Sequence, residues 1–279
     1  MTVLGALFPN LTLQSFTFPF VTLNGNGEIL QVQNNQAYRL VETLPGEIPL
    51  TLIALSGGTF QMGSPHGQGY EDEMPRHLVS LPPFLIAQAL VTQQQWQAVM
   101  GRAPHCRFHG PDLPVERVSW KSVRAFCQAL SKKTGNAYHL PSEAQWEYAC
   151  RAGTATPFST GETITTLYAN YCGEHIFRNE PRGVYRHTST PAGTCLPNPF
   201  GLYDMHGNLW ESCADRWHPD YSGAPFDAAS WEQGGEIGYR VARGGSWHEP
   251  PNNCRSATRL RIAEDEEDDM IGFRVALTN

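Results

Sequence analysis

The sequence predicts an α+β fold with few regular elements and long ordered loops, and three observations support this class. Apolar residues follow a helical spacing only in the first half of the chain, and after Gly153 no such pattern continues beyond two turns. Short runs rich in β-branched and aromatic residues recur later, as at residues 239–243 and 271–276. Glycine and proline residues separate these runs. Helices followed by irregular chain and short strands are typical of the α+β class.

Three helices are predicted, and two of them begin at capping boxes. Thr92 with Gln95, and Ser142 with Gln145, fit the S/T-x-x-E/Q pattern, in which each side chain satisfies a free backbone amide of the first turn. Between these two helices, apolar residues recur at helical spacing over residues 119–134, which predicts the third. The sequence therefore places all three helices before about residue 151.

Residues 1–49 are predicted to form an N-terminal extension that carries a β-hairpin. Residues 16–23 and 28–33 have strand composition, and the turn Asn24-Gly-Asn-Gly27 joins them. The main domain is predicted to span residues 50–279. Further strands are predicted at residues 50–55, 59–64, 78–81 and 84–86.

The composition bounds the possible partners. The net charge is −7, and the acidic run at residues 264–269 supplies −6 of it, so the rest of the chain is close to neutral. This balance argues against a nucleic-acid-binding surface. No stretch is long and apolar enough for a membrane span, and the first residues do not resemble a secretion signal. Seven cysteines without a C-x-x-C pair predict reduced, buried thiols in a cytoplasmic protein.

The segment Gly201-Leu-Tyr-Asp-Met-His-Gly-Asn-Leu-Trp-Glu211 is the strongest candidate for a metal site. It places two carboxylates, Asp204 and Glu211, around a Gly207-Asn208 turn. Carboxylates and unpaired backbone carbonyls are the hard oxygen ligands that calcium requires. A turn capped by an aspartate side chain, without any metal, is the alternative interpretation.

At this point several motifs, in this order, carry a family resemblance. They are Gly57-Gly-Thr-Phe-Gln-Met-Gly-Ser64, Val91-Thr-Gln93, Val118-Ser-Trp120, Leu140-Pro-Ser-Glu-Ala-Gln-Trp-Glu-Tyr-Ala149, Pro197-Asn-Pro-Phe-Gly-Leu-Tyr-Asp-Met-His-Gly-Asn-Leu-Trp-Glu211, Arg243-Gly-Gly-Ser-Trp247 and Gly272-Phe-Arg-Val275. Together they resemble the formylglycine-generating enzyme (sulfatase-modifying factor) family over roughly residues 50–279. The resemblance implies a variant of the C-type lectin fold with bound structural calcium.

The resemblance also implies which residues hold calcium. The ligands would be the side chains of Asp204 and Glu211 and the carbonyls of Gly207 and Leu209. A second family calcium site begins at the positions of Asn170 and Tyr171. Its acidic partner has no clear counterpart at residues 178–190, so the second site is left open.

Family membership does not by itself imply the family's chemistry. The oxidase of this family binds copper through two cysteines that lie five residues apart, and soft thiolates select Cu(I). Here Glu249 stands at the first cysteine position and Cys254 at the second, so one thiol is missing. We therefore expect no copper oxidase and assign no catalytic residue. Related iron enzymes use histidines of a helical domain that this chain lacks, and His105 and His109 lie in a loop instead.

The C-terminal part also resembles the variable proteins of diversity-generating retroelements. In those proteins, residues between fixed anchors form a ligand-binding surface. The anchors here would be Trp247, Cys254, Ala257 and Phe273, which we expect to be buried. The predicted ligand-binding residues, expected to be exposed, are His248, Glu249, Asn252, Asn253, Thr258, Leu260 and Ile262.

These observations favour a protein that binds a protein or peptide ligand through its C-terminal loop surface. The alternative is an enzyme of the same family, with changed metal chemistry, that acts on a protein cysteine or a small molecule. The C-terminal interval could also be an ordinary surface loop, and the acidic run could be a solvated loop or part of the ligand surface. The oligomeric state is left open.

Overall fold

The computed structural model describes residues 7–278, and the larger of its sheets is built from the N-terminal half and the C-terminus. This sheet has six strands. In spatial order they are β1 (Gln14–Leu23), β2 (Ile29–Leu44), β3 (Ile48–Leu55), β6 (Phe84–Ala87), β12 (Ala276–Leu277) and β7 (Tyr138–His139). Every neighbouring pair is antiparallel.

Two smaller sheets complete the strand inventory of the described residues. A four-stranded sheet has the order β10 (Arg259–Ala263), β9 (Tyr239–Arg243), β8 (Trp210–Arg216) and β11 (Ile271–Gly272). Its β8–β11 pair is parallel, and the other pairs are antiparallel. A two-stranded sheet pairs β4 (Gly58–Met62) with β5 (His77–Leu81).

The predicted helices are confirmed, together with their caps. They are α1 (Gln93–Met100), α2 (Trp120–Thr134) and α3 (Glu143–Arg151). Both capping boxes form, at Thr92 and at Ser142. Helices α1 and α2 end at Gly101 and Gly135, whose φ angles of 72° and 83° are the left-handed values that glycine adopts without strain. None of the helices at residues 7–278 is long and apolar enough to cross a membrane.

The predicted N-terminal hairpin forms as β1 and β2, but it is not separate from the main sheet. Strand β2 continues well beyond the hairpin and pairs with β3 along its second half, with Leu40 opposite Leu52. Hydrogen bonds therefore cross the predicted boundary between residues 49 and 50.

In the C-terminal half, two stretches that were not predicted as strands contain one, and one predicted strand is divided. The end of the predicted calcium segment is not all turn, because β8 begins at Trp210. Part of the predicted ligand loop is strand β10. Residues 271–276, predicted as one strand, form β11 and the start of β12, which belong to different sheets. The chain changes sheets at Phe273, where a single continuous strand could not reach both partners.

Aromatic rings connect the helices to this crossing point. The rings of Trp96 and Phe126 stack with their centroids 5.4 Å apart. Phe273 packs edge-on against Phe126, with the centroids 5.2 Å apart. These geometries are the favourable ones for aromatic pairs, and all three rings are buried. The core of the N-terminal half thus fixes the position of the last strands.

Candidate functional site

The turn of the predicted calcium loop has a backbone that only a few residue types adopt easily. Asp204 and Asn208 have φ angles of 57° and 69°, and Gly207 has a φ of 91°. A Cβ atom at Gly207 would lie 2.3 Å from the carbonyl oxygen of Asn170, so only glycine fits there. The loop is therefore pressed against the segment that contains Asn170.

Glu211, on strand β8, is fully buried and already has strong partners. Its Oε2 accepts hydrogen bonds from Trp146 Nε1 at 2.8 Å and from Arg274 Nε at 2.5 Å. Its Oε1 accepts a second bond from the Arg274 guanidinium at 2.6 Å. A carboxylate offers about four lone-pair sites, so these three bonds leave one site on Oε1. Glu211 can therefore supply one oxygen to a cation without losing Arg274.

Asp204 is also buried, but unlike Glu211 it has no hydrogen bond from an arginine within the described part of the chain. It accepts a hydrogen bond from the Gly193 amide at 2.7 Å. Burial raises the pKa of its carboxyl from 3.8 to about 6, although the Gly193 amide and the nearby Arg274 lower it. Because Arg274 is bonded to Glu211, it compensates the charge of Asp204 only in part. A buried carboxylate with incomplete charge compensation is suited to binding a cation.

A side-chain cation lies next to the segment where the second family calcium site would begin. The Arg186 guanidinium donates hydrogen bonds to the carbonyls of Thr166, at 2.7 Å, and Ala169, at 3.5 Å. Glu180 does lie in the interval where the acidic partner was sought, but its carboxylate binds the backbone amides of residues 177 and 178. Asn170 Oδ1 is buried without a hydrogen-bond partner among the described residues. These contacts supply no acidic partner for Asn170, so the second site stays open.

The predicted ligand residues divide into exposed and buried groups. His248 and Asn252 are exposed, and Glu249, Asn253 and Leu260 are partly exposed. The anchors are buried as predicted: Trp247, Cys254, Ala257 and Phe273.

Thr258 and Ile262 were expected at the surface, and that expectation is wrong, since each is only 2% exposed. Ile262 lies on β10, where alternate residues face the interior, and it packs in a cluster with Trp210 and Ile271. The hydroxyl of Thr258 donates to the carbonyl of Asn252 at 3.2 Å. Both side chains stabilise the backbone beneath the surface and cannot contact a ligand directly.

The structure adds residues to the surface that the sequence analysis missed. We call the aromatic face the group Phe108, Tyr185, His187, Trp247 and His248. The Trp247 ring lies 5.7 Å from Phe108, 6.3 Å from Tyr185 and 5.3 Å from His248, measured between centroids. Tyr185 also contacts His187, with centroids 3.7 Å apart, and its hydroxyl hydrogen-bonds His248 Nδ1.

Charged residues border the aromatic face. The Arg107 guanidinium lies 5.1 Å from the Phe108 ring centroid and 5.9 Å from that of Trp247. It also forms an ion pair with Asp269 at 2.6 Å. Asp269 is the last residue of the acidic run, and Glu264, the first, pairs with Arg240 at 2.9 Å. Both ends of the run are therefore neutralised, and its middle is exposed.

The thiol and the carboxylate at the family's copper positions are engaged in structural contacts. Cys254 is fully buried, and burial raises the pKa of its thiol well above the usual value. Glu249 accepts hydrogen bonds from Asn253 Nδ2 at 2.6 Å and Trp210 Nε1 at 3.3 Å. Within residues 7–278, there is no group of three or more histidine, cysteine, aspartate or glutamate side chains close enough together to hold a metal ion.

Known proteins similar to this chain include several with enzyme names. The formylglycine-generating enzyme of Thermomonospora curvata is 29% identical over 83% of this chain and 95% of its own length. That of Bos taurus is 32% identical over 68% of this chain and 53% of its own length. The serine/threonine-protein kinase pkn1 of Chlamydia pneumoniae is 29% identical over 84% of this chain, which spans only 39% of that kinase.

Two solved structures resemble this fold, and one protein family matches most of the sequence. The structure of PvdO from Pseudomonas aeruginosa is 34% identical, with a TM-score of 0.73, and covers 82% of this chain and 94% of its own. Treponema denticola variable protein 1 is 26% identical, with a TM-score of 0.75, over 86% of this chain and 98% of its own. The family described as "Sulfatase-modifying factor enzyme 1-like domain" matches residues 38–279. The chain therefore belongs to this family and has the C-type lectin-like fold of the formylglycine-generating enzyme type.

Proposed function

We propose that this protein binds a protein or peptide ligand through the aromatic face, on a scaffold held by structural calcium. The observation that carries the proposal is the cluster itself. Rings from three separate loops contact one another around Trp247, although the side chains of His187 and His248 are exposed. Tryptophan, tyrosine and arginine dominate the energetics of protein interfaces, and all three occur here.

The backbone beneath the face is held in place. The Trp247 amide donates to the carbonyl of Asn208 at 2.9 Å, which connects the face to the calcium loop. The indole Nε1 of Trp247 donates to the carbonyl of Asp269 at 3.4 Å. Trp247 is 5% exposed, so it supports the face while its neighbours provide the contact area. A surface ordered before binding loses less entropy when a ligand binds.

The residue types of the face and one similar structure both support a macromolecular ligand. Two cavities of about 700 and 360 Å³ are lined by residues outside the aromatic face, so the face is not the wall of either cavity. Surfaces rich in tyrosine and tryptophan are typical of protein recognition. Similarity to a solved variable protein along nearly the whole chain supports the same proposal.

Selection of peptides from a random display library provides a test that requires no known partner. We expect the protein to enrich peptides that lose binding at least tenfold when Tyr185→Ala and His248→Ala are combined, because the exposed contact area is removed. Because Tyr185 packs on Trp247 and hydrogen-bonds His248, the free energy of unfolding should fall by about 0.5–1.5 kcal/mol, and binding is compared at a temperature where both proteins are folded.

The matched control combines Leu30→Ala with Ile237→Ala, two apolar side chains outside the face that are 66% and 88% exposed. The control should bind the selected peptides as the wild type does. Peptides that bind the Tyr185 and His248 variant at full strength would place the ligand site elsewhere.

We further propose that calcium binds Asp204 and Glu211 together with the carbonyls of Gly207 and Leu209. The incompletely compensated charge of Asp204 and the remaining lone pair of Glu211 support this assignment. A bound cation would join strand β8 to the turn at residues 204–208, which is the turn that holds the Trp247 amide.

The pKa of Asp204 predicts how calcium and pH act together. The folded chain without calcium binds this proton more tightly than the unfolded chain, so stability decreases as pH rises from 3.8 to about 6. Calcium requires the ionised carboxylate. We therefore expect it to raise the melting temperature strongly above pH 6 and little at about pH 4.5, with roughly 2–3 kcal/mol gained at a hundredfold excess over Kd.

Asp204→Asn should reduce the calcium response while leaving the chelated protein at least as stable as wild type, since the neutral amide avoids a buried charge. Asp227→Asn, at an exposed position, serves as the control and should retain the full response. Differential scanning fluorimetry with calcium and with a chelator measures both. An undiminished calcium shift in Asp204→Asn would show that this site is wrong.

The second candidate function is enzymatic, because formylglycine-generating enzymes are among the relatives. Copper-dependent oxidation of a peptide cysteine needs two accessible thiolates, whereas Cys254 is buried and Glu249 stands at the other position. Protein loaded with Cu(I) should therefore form no aldehyde on a cysteine-containing sulfatase peptide in air, as measured with a hydrazide probe. Aldehyde formation that disappears in Cys254→Ser would favour the enzyme over the binding protein.

A further inference from the structure

A cavity of about 700 Å³ lies between helix α2, the start of α3 and strands β7, β8 and β9. This volume is within the range of about 300–1,000 Å³ that small-molecule sites occupy. None of its lining residues belongs to the aromatic face or to the calcium loop. It is therefore a separate candidate site, and the function proposed above does not use it.

The charge of the cavity is unbalanced. Among the described residues that line it, three arginines and one glutamate carry charge at neutral pH: Arg124, Arg216, Arg240 and Glu232. His139 also lines it, but burial lowers the pKa of its imidazole, so that ring stays neutral. Arg240 is held firmly, with its Cζ 3.6 Å from the Trp120 ring centroid and its Nε bonded to Glu264 at 2.9 Å.

Among the arginines that line the cavity, Arg216 has a buried nitrogen without a hydrogen bond. Its Nε is buried and has no hydrogen-bond partner among the described residues. The nearest carboxylate oxygen belongs to Glu232 and lies 3.6 Å from this nitrogen, beyond hydrogen-bond distance. A guanidinium has a planar set of donors that matches a carboxylate, and Glu232 does not complete that match at Arg216, which lines the cavity with 29% of its side chain exposed.

Glu232 occupies the position that an anionic ligand would take. Its carboxylate lies 3.0 Å from the Arg240 guanidinium as well as near Arg216, but its side chain is 47% exposed. An ion pair exposed to this degree contributes little to stability, so a better-placed carboxylate can displace it. The apolar residues Leu140, Ala214 and Ala228 line the same cavity and can cover the uncharged part of a ligand.

We propose that this cavity binds a small organic carboxylate, with its carboxylate on Arg216 and Arg240 in place of Glu232 and its apolar body against Leu140, Ala214 and Ala228. The cavity volume and the weakly paired Arg216 guanidinium are independent observations, and both are met by a ligand of this class. The charge of Glu232 competes with the ligand, so its removal should strengthen binding.

Titration calorimetry with benzoate, supported by tryptophan fluorescence because Trp120 lines the cavity, tests the proposal. We expect Glu232→Gln to tighten benzoate binding by about fivefold and Arg216→Gln to weaken it by at least tenfold. Arg182→Gln, at an exposed arginine outside the cavity, should bind as the wild type does. Benzamide, which has the same shape without the charge, should not bind.

Melting curves establish that each variant is folded, and Arg216→Lys, which keeps the charge but loses the planar donors, replaces Arg216→Gln if the latter does not fold. It should also weaken binding. The proposal is overturned if neither wild type nor Glu232→Gln binds benzoate at roughly 10 mM, ten times a millimolar Kd. It is also overturned if Arg216 variants bind normally, if Glu232→Gln gives no gain, or if inorganic phosphate binds as tightly as benzoate.

Discussion

Buried arginine–carboxylate pairs hold the C-terminal half of this protein together. The Arg243 guanidinium bonds Glu147 on α3 and donates to the carbonyls of residues 256, 257 and 258. Arg259 forms a bidentate pair with Glu143, and Arg255 one with Glu73. Removing one partner of such a pair would leave a buried charge without compensation, at a cost of about 3–5 kcal/mol.

These pairs explain how long stretches without helix or strand can support the proposed binding surface. Each guanidinium has up to five donors and satisfies carbonyls that irregular backbone leaves unpaired. Arg274 does this for residues 87 and 203 while it holds Glu211. The proposed calcium ion would serve the same purpose at the neighbouring turn, where Asp204 lacks an arginine of its own. The aromatic face therefore rests on a backbone that buried hydrogen bonds hold in place, and its exposed side chains are the proposed contact residues.

Much of the fold could be predicted because its signals are local. The capping boxes at Thr92 and Ser142, the hairpin turn and the apolar anchors each depend on residues close in sequence. Strand β8, in contrast, pairs with β9 and β11, which lie far along the chain, so nearby residues do not predict it. Glu147 and Arg243 are 96 positions apart and Tyr185 and His248 are 63 apart, so no local pattern connects them. Thr258 and Ile262 were placed at the surface because the β10 pairing that buries Ile262 is also long-range.

The central claim is that buried ion pairs, and not local structure, keep the loop under the aromatic face rigid. Amide hydrogen exchange in wild type and Arg243→Met measures this directly, with Arg261→Met, an exposed arginine, as the control. In wild type the Trp247 amide should exchange only through global unfolding, as the β2–β3 amides do. In Arg243→Met it should exchange much faster than those strands, by local opening. The account would be contradicted if, in all three proteins, the Trp247 amide were as strongly protected from exchange as the β2–β3 amides.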